Sequence, residues 1–208
     1  MKVSKKILKI KKLKSKKKLV CLTAYSQPIS KILDKYCDII LVGDSVATAF
    51  YGMKNTKSIS LDTMINHAMA VKKAIHKSTF VVDMPFNTYR NIKEAKKNAK
   101  KILKKTHCDG VKLESNGKNF IVIKNLVKSG IPVMGHIGYT PQYKKTFKPQ
   151  GLKKNAVRKL IYEAEQIEKE VSMSNCLFQT YCKDIGQVLR YYFGRRFCCN
   201  RFLWHEKY

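Results

Sequence analysis

Three carboxylates, Asp44, Asp83 and Glu114, each fall at or near the end of a short apolar run: "IILVG", "FVVD" and "GVKLE". Carboxylates gathered at one end of a sheet repel one another and lose hydration, and a cation relieves both costs. Hard oxygen ligands with open positions suit Mg²⁺, which keeps several waters and takes part of its shell from substrate. Lys112 lies two residues before Glu114 and adds a positive charge to the same end. Taken singly, each acid also fits a helix N-cap or a turn former. "GHIGYTPQ" (135–142) brings His136 to a further strand end, where a lone His is more often a hydrogen-bonded structural residue than a ligand. Dinucleotide-binding, P-loop, Gly-x-Ser-x-Gly and Cys–His nucleophile patterns are absent.

The elements that must carry these residues alternate. "LVCLTAY" (19–25), "IILVGD" (39–44), "TFVVDMPF" (79–86), "GVKLES" (110–115) and "IPVMGHIG" (131–138) are brief, branched and apolar, as in strands buried on both faces of a parallel sheet. Amphipathic stretches separate them, at 27–36, 60–75, 91–105, 119–130 and 151–170. Ser60 with Asp62-Thr63, and Asn91 with Glu94, read as helix starts. Strand–helix alternation leaves two α/β architectures open, a doubly wound sheet or a (β/α)₈ barrel. In both, ligands bind at the carboxyl ends of the strands.

Composition narrows the partners. The 208 residues suffice for one domain with a core. Net charge is +29, yet Lys outnumbers Arg 37 to 6 and is spread along helix-like segments without aromatic interleaving. Base and phosphate recognition leans on the Arg fork, so solvated helix faces are expected here, with no specific nucleic acid. No run reaches membrane-span length, and the lysine-rich start lacks an apolar signal core, so no membrane and a cytoplasmic location are expected. The seven cysteines are odd in number and show no C-x₂-C spacing, which fits reduced structural thiols.

The motifs as a set resemble ketopantoate hydroxymethyltransferases from about Lys17 to Glu168. "LTAYSQPISK", "ILVGDSVATAFYG", "HAMAVKKA", "VVDMPF", "DGVKLE" and "GHIGYTPQ" stand in the family's order. The resemblance implies a (β/α)₈ barrel of the phosphoenolpyruvate/pyruvate type, of which about five βα units are recognisable. It implies transfer of a hydroxymethyl group from 5,10-methylenetetrahydrofolate to 3-methyl-2-oxobutanoate, giving 2-dehydropantoate for pantothenate synthesis. It further implies Mg²⁺ at Asp44, Asp83 and Glu114, ketoacid contacts at Asp44, Ser45, Asp83 and Lys112, a pocket position for His136, and a decamer-type homo-oligomer.

The same resemblance implies a Glu base at the end of the sixth strand, in a "V-L-E-C"-like segment. The chain instead reads "VSMSNCLFQTYC", with no acid between Glu170 and Asp184, so the catalytic base has no counterpart. From residue 171 onward, lysine nearly vanishes, while four of the seven Cys, four of the six Arg and Trp204 appear. The expected organisation is a basic segment (1–16), a partial barrel (17–170) and a tail foreign to the fold (171–208). An inactive fragment of the family, or a basic polyanion- or nucleic-acid-binding protein, are the alternatives.

Overall fold

The computed structural model describes residues 4–13, 19–144, 153–171 and 176–181. Six parallel strands form one sheet in the order of the chain: β1 (Cys21–Thr23), β2 (Ile39–Val42), β3 (Thr79–Asp83), β4 (Gly110–Glu114), β5 (Val133–Gly138) and β6 (Cys176–Tyr181). A doubly wound sheet reverses its order at a switch point. This one never reverses, so it is an arc of a (β/α) barrel rather than a closed one.

Helices α2 (Gln27–Leu33), α4 (Leu61–Lys72), α5 (Ile92–Thr106), α6 (Phe120–Lys128) and α7 (Lys154–Val171) make the crossovers, and the short α3 (Val46–Ala49) follows β2. The two helix starts are capped where the sequence indicates. Ser60 Oγ accepts from the Thr63 N–H at 3.0 Å, and Asn91 Oδ1 accepts from the Glu94 N–H at 2.9 Å. Each satisfies an otherwise orphaned helix donor.

Alternate strand residues serve two separate cores, which explains the unbroken apolar runs. Ile40, Val42, Phe80, Val82, Val111, Leu113 and Val133 pack with the helices. Ile39, Leu41, Val81 and Met134 pack with Ile10 of α1 (Lys5–Lys12). The basic start of the chain is thus an amphipathic helix that buries Ile7 and Ile10 and lays lysines to solvent, with Lys6 Nζ donating to Ser78 O at 2.9 Å.

One boundary differs from the sequence expectation. β6 pairs in parallel with β5 from Val133↔Cys176 to Gly138↔Tyr181. The segment 176–181, assigned to a foreign tail, therefore continues the sheet as a sixth strand. Its composition hides it: "CLFQTY" places Gln179 and Thr180 among its apolar residues. The rest of that tail, from residue 182, lies outside the described residues. No helix of the described residues is long and apolar enough to cross a membrane.

Candidate active site

The strand order delivers the chemistry to one end. Asp44 follows β2, Asp83 closes β3, Lys112 and Glu114 lie in β4, and His136 lies in β5. The loop after β5 adds Gln142. All six are buried, none more than 4% exposed.

Their contacts form one network. Lys112 Nζ sits 2.7 Å from Asp83 Oδ1, and the Asp44 N–H donates to Asp83 Oδ2 at 3.1 Å. Gln142 Nε2 donates to Asp44 Oδ2 at 2.8 Å, and its main-chain N–H donates to Glu114 Oε2 at 3.0 Å. His136 Nδ1 lies 3.4 Å from Glu114 Oε1. Ser45 Oγ is 2.7 Å from the Tyr25 hydroxyl, which fixes its direction. Gly43 keeps this space open: a Cβ there would stand 2.9 Å from Ser45 Oγ and 3.5 Å from Asp83 Oδ2.

The electrostatics are unbalanced. Three buried carboxylates face one buried ammonium. Burial pushes the Asp83 carboxyl up to about 7; the Asp44 charge adds to this, and Lys112 offsets only part of it. Burial likewise raises Glu114 to about 8. His136 is held well below its usual range by burial and then by the Lys112 charge, so it is neutral. Carboxyls raised by burial in this way are what a cation would compensate. Its donor set, carboxylate oxygens with a nearby hydroxyl, is the hard-oxygen chemistry of Mg²⁺. Among the described residues, however, no three His, Cys, Asp or Glu side chains stand in ready metal-binding geometry. Lys112 and Gln142 take the Asp83 and Asp44 oxygens instead.

The structure thus brings together every residue singled out in the sequence: Asp44, Ser45, Asp83, Lys112, Glu114 and His136. Sequence reasoning missed Gln142, Tyr25 and Tyr89, although Tyr25 and Gln142 lie inside the quoted motifs. Gln142 and Tyr89 also form the wall between this network and a cavity of about 420 Å³ lined further by Lys57, Phe86, Arg90 and Asn116.

The sequence matches the family Ketopantoate hydroxymethyltransferase over residues 4–185, past the expected boundary at 170 and through β6. It is 44% identical over 192 residues to the 3-methyl-2-oxobutanoate hydroxymethyltransferase of Pelagibacter ubique, covering 90% of this chain and 74% of that protein. It is 52% identical over 137 residues to the enzyme of that name from Anaplasma marginale, covering 66% of this chain and 50% of that protein.

Solved structures share the fold at low identity. A phosphonopyruvate hydrolase complex with oxalate and Mg²⁺ aligns with a TM-score of 0.67 at 10% identity, covering 90% of this chain and 68% of the other. A 2,3-dimethylmalate lyase of the PEP mutase/isocitrate lyase superfamily aligns with a TM-score of 0.65 at 10% identity, covering 92% and 70%. The fold is therefore an incomplete barrel of that superfamily's type, and the chain belongs to the ketopantoate hydroxymethyltransferase family.

Proposed function

We propose that this chain binds 3-methyl-2-oxobutanoate at the carboxyl ends of β2–β5 and carries the family's hydroxymethyl transfer from 5,10-methylenetetrahydrofolate, giving 2-dehydropantoate. One observation carries the reading: three buried carboxylates gather at the strand ends of a family barrel beside one buried lysine, which pairs with Asp83. Asp44, Asp83 and Glu114 would hold the divalent cation. When bound, it supplies Lewis-acid stabilisation of negative charge on the ketoacid oxygens.

The residues around it bind and orient. Lys112 presents its ammonium to the same developing charge in a site shielded from water, where such a charge counts most. Ser45, steered by Tyr25, offers a hydroxyl to the ketoacid. His136, neutral, lines the site beside Glu114. The C3 proton leaves to water and C3 bonds to the methylene carbon of the folate. That carbon's two bonds to folate nitrogen break, the second place is taken by the hydroxyl of a water, and the two protons end on the nitrogens.

Proton removal is the weak step. β6 carries no acid, and Gln179 stands there in register with His136, which is itself in register with Glu114. Loss of a positioned base lowers the rate by on the order of 10²–10⁴. Deuterium exchange at C3 of the ketoacid, followed by NMR, tests this. Slow exchange that needs Mg²⁺ is expected, together with a gain of about 10² or more in Gln179→Glu. Exchange equal with and without the metal, and unmoved by the substitution, would overturn the reading.

A further inference from the structure

Gln142 makes more contacts across the site than any one catalytic function requires of it. Its side-chain amide has two N–H donors and one oxygen, and all three are used in a position 2% exposed. One N–H meets Asp44 Oδ2 at 2.8 Å, and the other direction of Nε2 meets Met84 O at 3.2 Å. The oxygen accepts a short hydrogen bond from the Tyr89 hydroxyl. The main-chain N–H reaches Glu114 Oε2. One residue after β5 therefore ties together the ends of β2, β3 and β4.

The amide can take only one orientation. Turning it over would aim its oxygen at two acceptors, Asp44 Oδ2 and Met84 O, and its NH₂ at the Tyr89 hydroxyl. Asp44 Oδ2 and Met84 O can only accept, so they set which way the amide points, and the Tyr89 hydroxyl braces its oxygen from the other side. Gln142 in turn holds Asp44 through its side chain and Glu114 through its main-chain N–H. Gln142 carries no charge, so it does not neutralise the acids. It fixes their geometry.

We propose that Gln142 is a positioning residue for the cation and ketoacid site, holding Asp44 and Glu114 in binding geometry, with Tyr89 bracing its amide oxygen. This rests on the cation site proposed above. A structural clamp would act on stability alone, whereas a positioning residue acts on affinity for the ion. Outer partners that orient metal ligands typically account for 10–100-fold in metal affinity.

Mn²⁺ binding to the full chain, followed by electron paramagnetic resonance, reads this without catalysis. Gln142→Leu, close in size but without the amide, is expected to bind about 10–100-fold more weakly. Tyr89→Phe keeps the ring and removes the hydroxyl that braces the amide oxygen. It is expected to weaken Mn²⁺ binding about tenfold, with a fall in melting temperature of only the few degrees that one unpaired buried oxygen costs. If Gln142→Leu fails to fold, Tyr89→Phe decides alone. Binding within about twofold of wild type in the folded variants, or tighter binding, would overturn the proposal; the latter would make Gln142 a competitor of the ion. Asp83→Ala separates the two readings: wild-type Mn²⁺ binding that is absent, or that survives Asp83→Ala, removes the cation site itself and this proposal with it. Loss in Asp83→Ala with none in Gln142→Leu or Tyr89→Phe removes only the positioning role.

Discussion

The two ends of the sheet use carboxylates in opposite ways. At the amino-terminal end, acids are satisfied by backbone. Asp34 accepts from the N–H groups of His76, Lys77 and Ser78 at 2.9, 3.0 and 2.8 Å. Asp109 accepts from the Phe80 N–H at 2.8 Å, and Asp38 from the Val20 N–H at 3.0 Å. Burial works against the Asp34 charge, but the amides of Ser78, Lys77 and His76 outweigh it and hold the carboxyl below its ordinary range. At the carboxyl-terminal end, Asp83 and Glu114 are raised to about 7 and 8, because burial there is only partly compensated. An acid beside a strand is thus a cap when the backbone satisfies it. It is a site candidate when the fold leaves its charge to something else. This separation follows the barrel rule that the amino-terminal face serves stability and the carboxyl-terminal face chemistry.

The sharpest way to break the comparison is to remove the charge on which the carboxyl-terminal acids depend. Lys112→Met is expected to weaken Mg²⁺-dependent ketoacid binding by a factor of roughly 100, since a charge-assisted contact in a buried site contributes on the order of 3 kcal/mol. Calorimetry measures it. Asp34→Ala should do the reverse, costing about 3 kcal/mol of stability in urea unfolding by stranding three amides, with ligand affinity per folded molecule unchanged.

The pH dependence then separates the two ends by sign. A carboxyl lowered in the fold, Asp34, stabilises above its unfolded value, and that contribution is lost as pH falls through the folded value. Carboxyls raised in the fold, Asp83 and Glu114, favour the protein below their unfolded values, and that contribution is lost as pH rises through about 7 and 8. Without metal, the melting temperature should fall between about pH 5.5 and 8.5, and Mg²⁺ affinity should rise over the same window as the acids lose their protons. A cation-free melting temperature that climbs through that window would contradict the assignment. The smallest effect is a control outside the site's hydrogen-bond network. Asn91→Ala removes the α5 cap and should cost about 1 kcal/mol, with no change in ligand binding.

Much of this was legible in the sequence, for reasons that have limits. Buried parallel strands show as unbroken apolar runs, and Ser60 and Asn91 announce their helices by local hydrogen-bonding chemistry. The acids of β2, β3 and β4 were visible because acid is scarce in the chain. Other features depend on long-range placement. α1 reads as a charge run because only Ile7 and Ile10 report its docking. β6 reads as foreign because Gln179 and Thr180 interrupt its pattern, while its pairing is set by β5. Gln142 is an ordinary polar loop residue until the fold carries it to Asp44, 98 positions away.

The central claim is that the β2–β5 strand ends form a cation-dependent ketoacid site. Isothermal calorimetry of 3-methyl-2-oxobutanoate into the full chain, with and without Mg²⁺, tests it most directly. The account predicts binding only when Mg²⁺ is present, lost in Asp83→Ala and retained in Asn91→Ala. Absence of binding at millimolar Mg²⁺, or binding that survives Asp83→Ala, would contradict it.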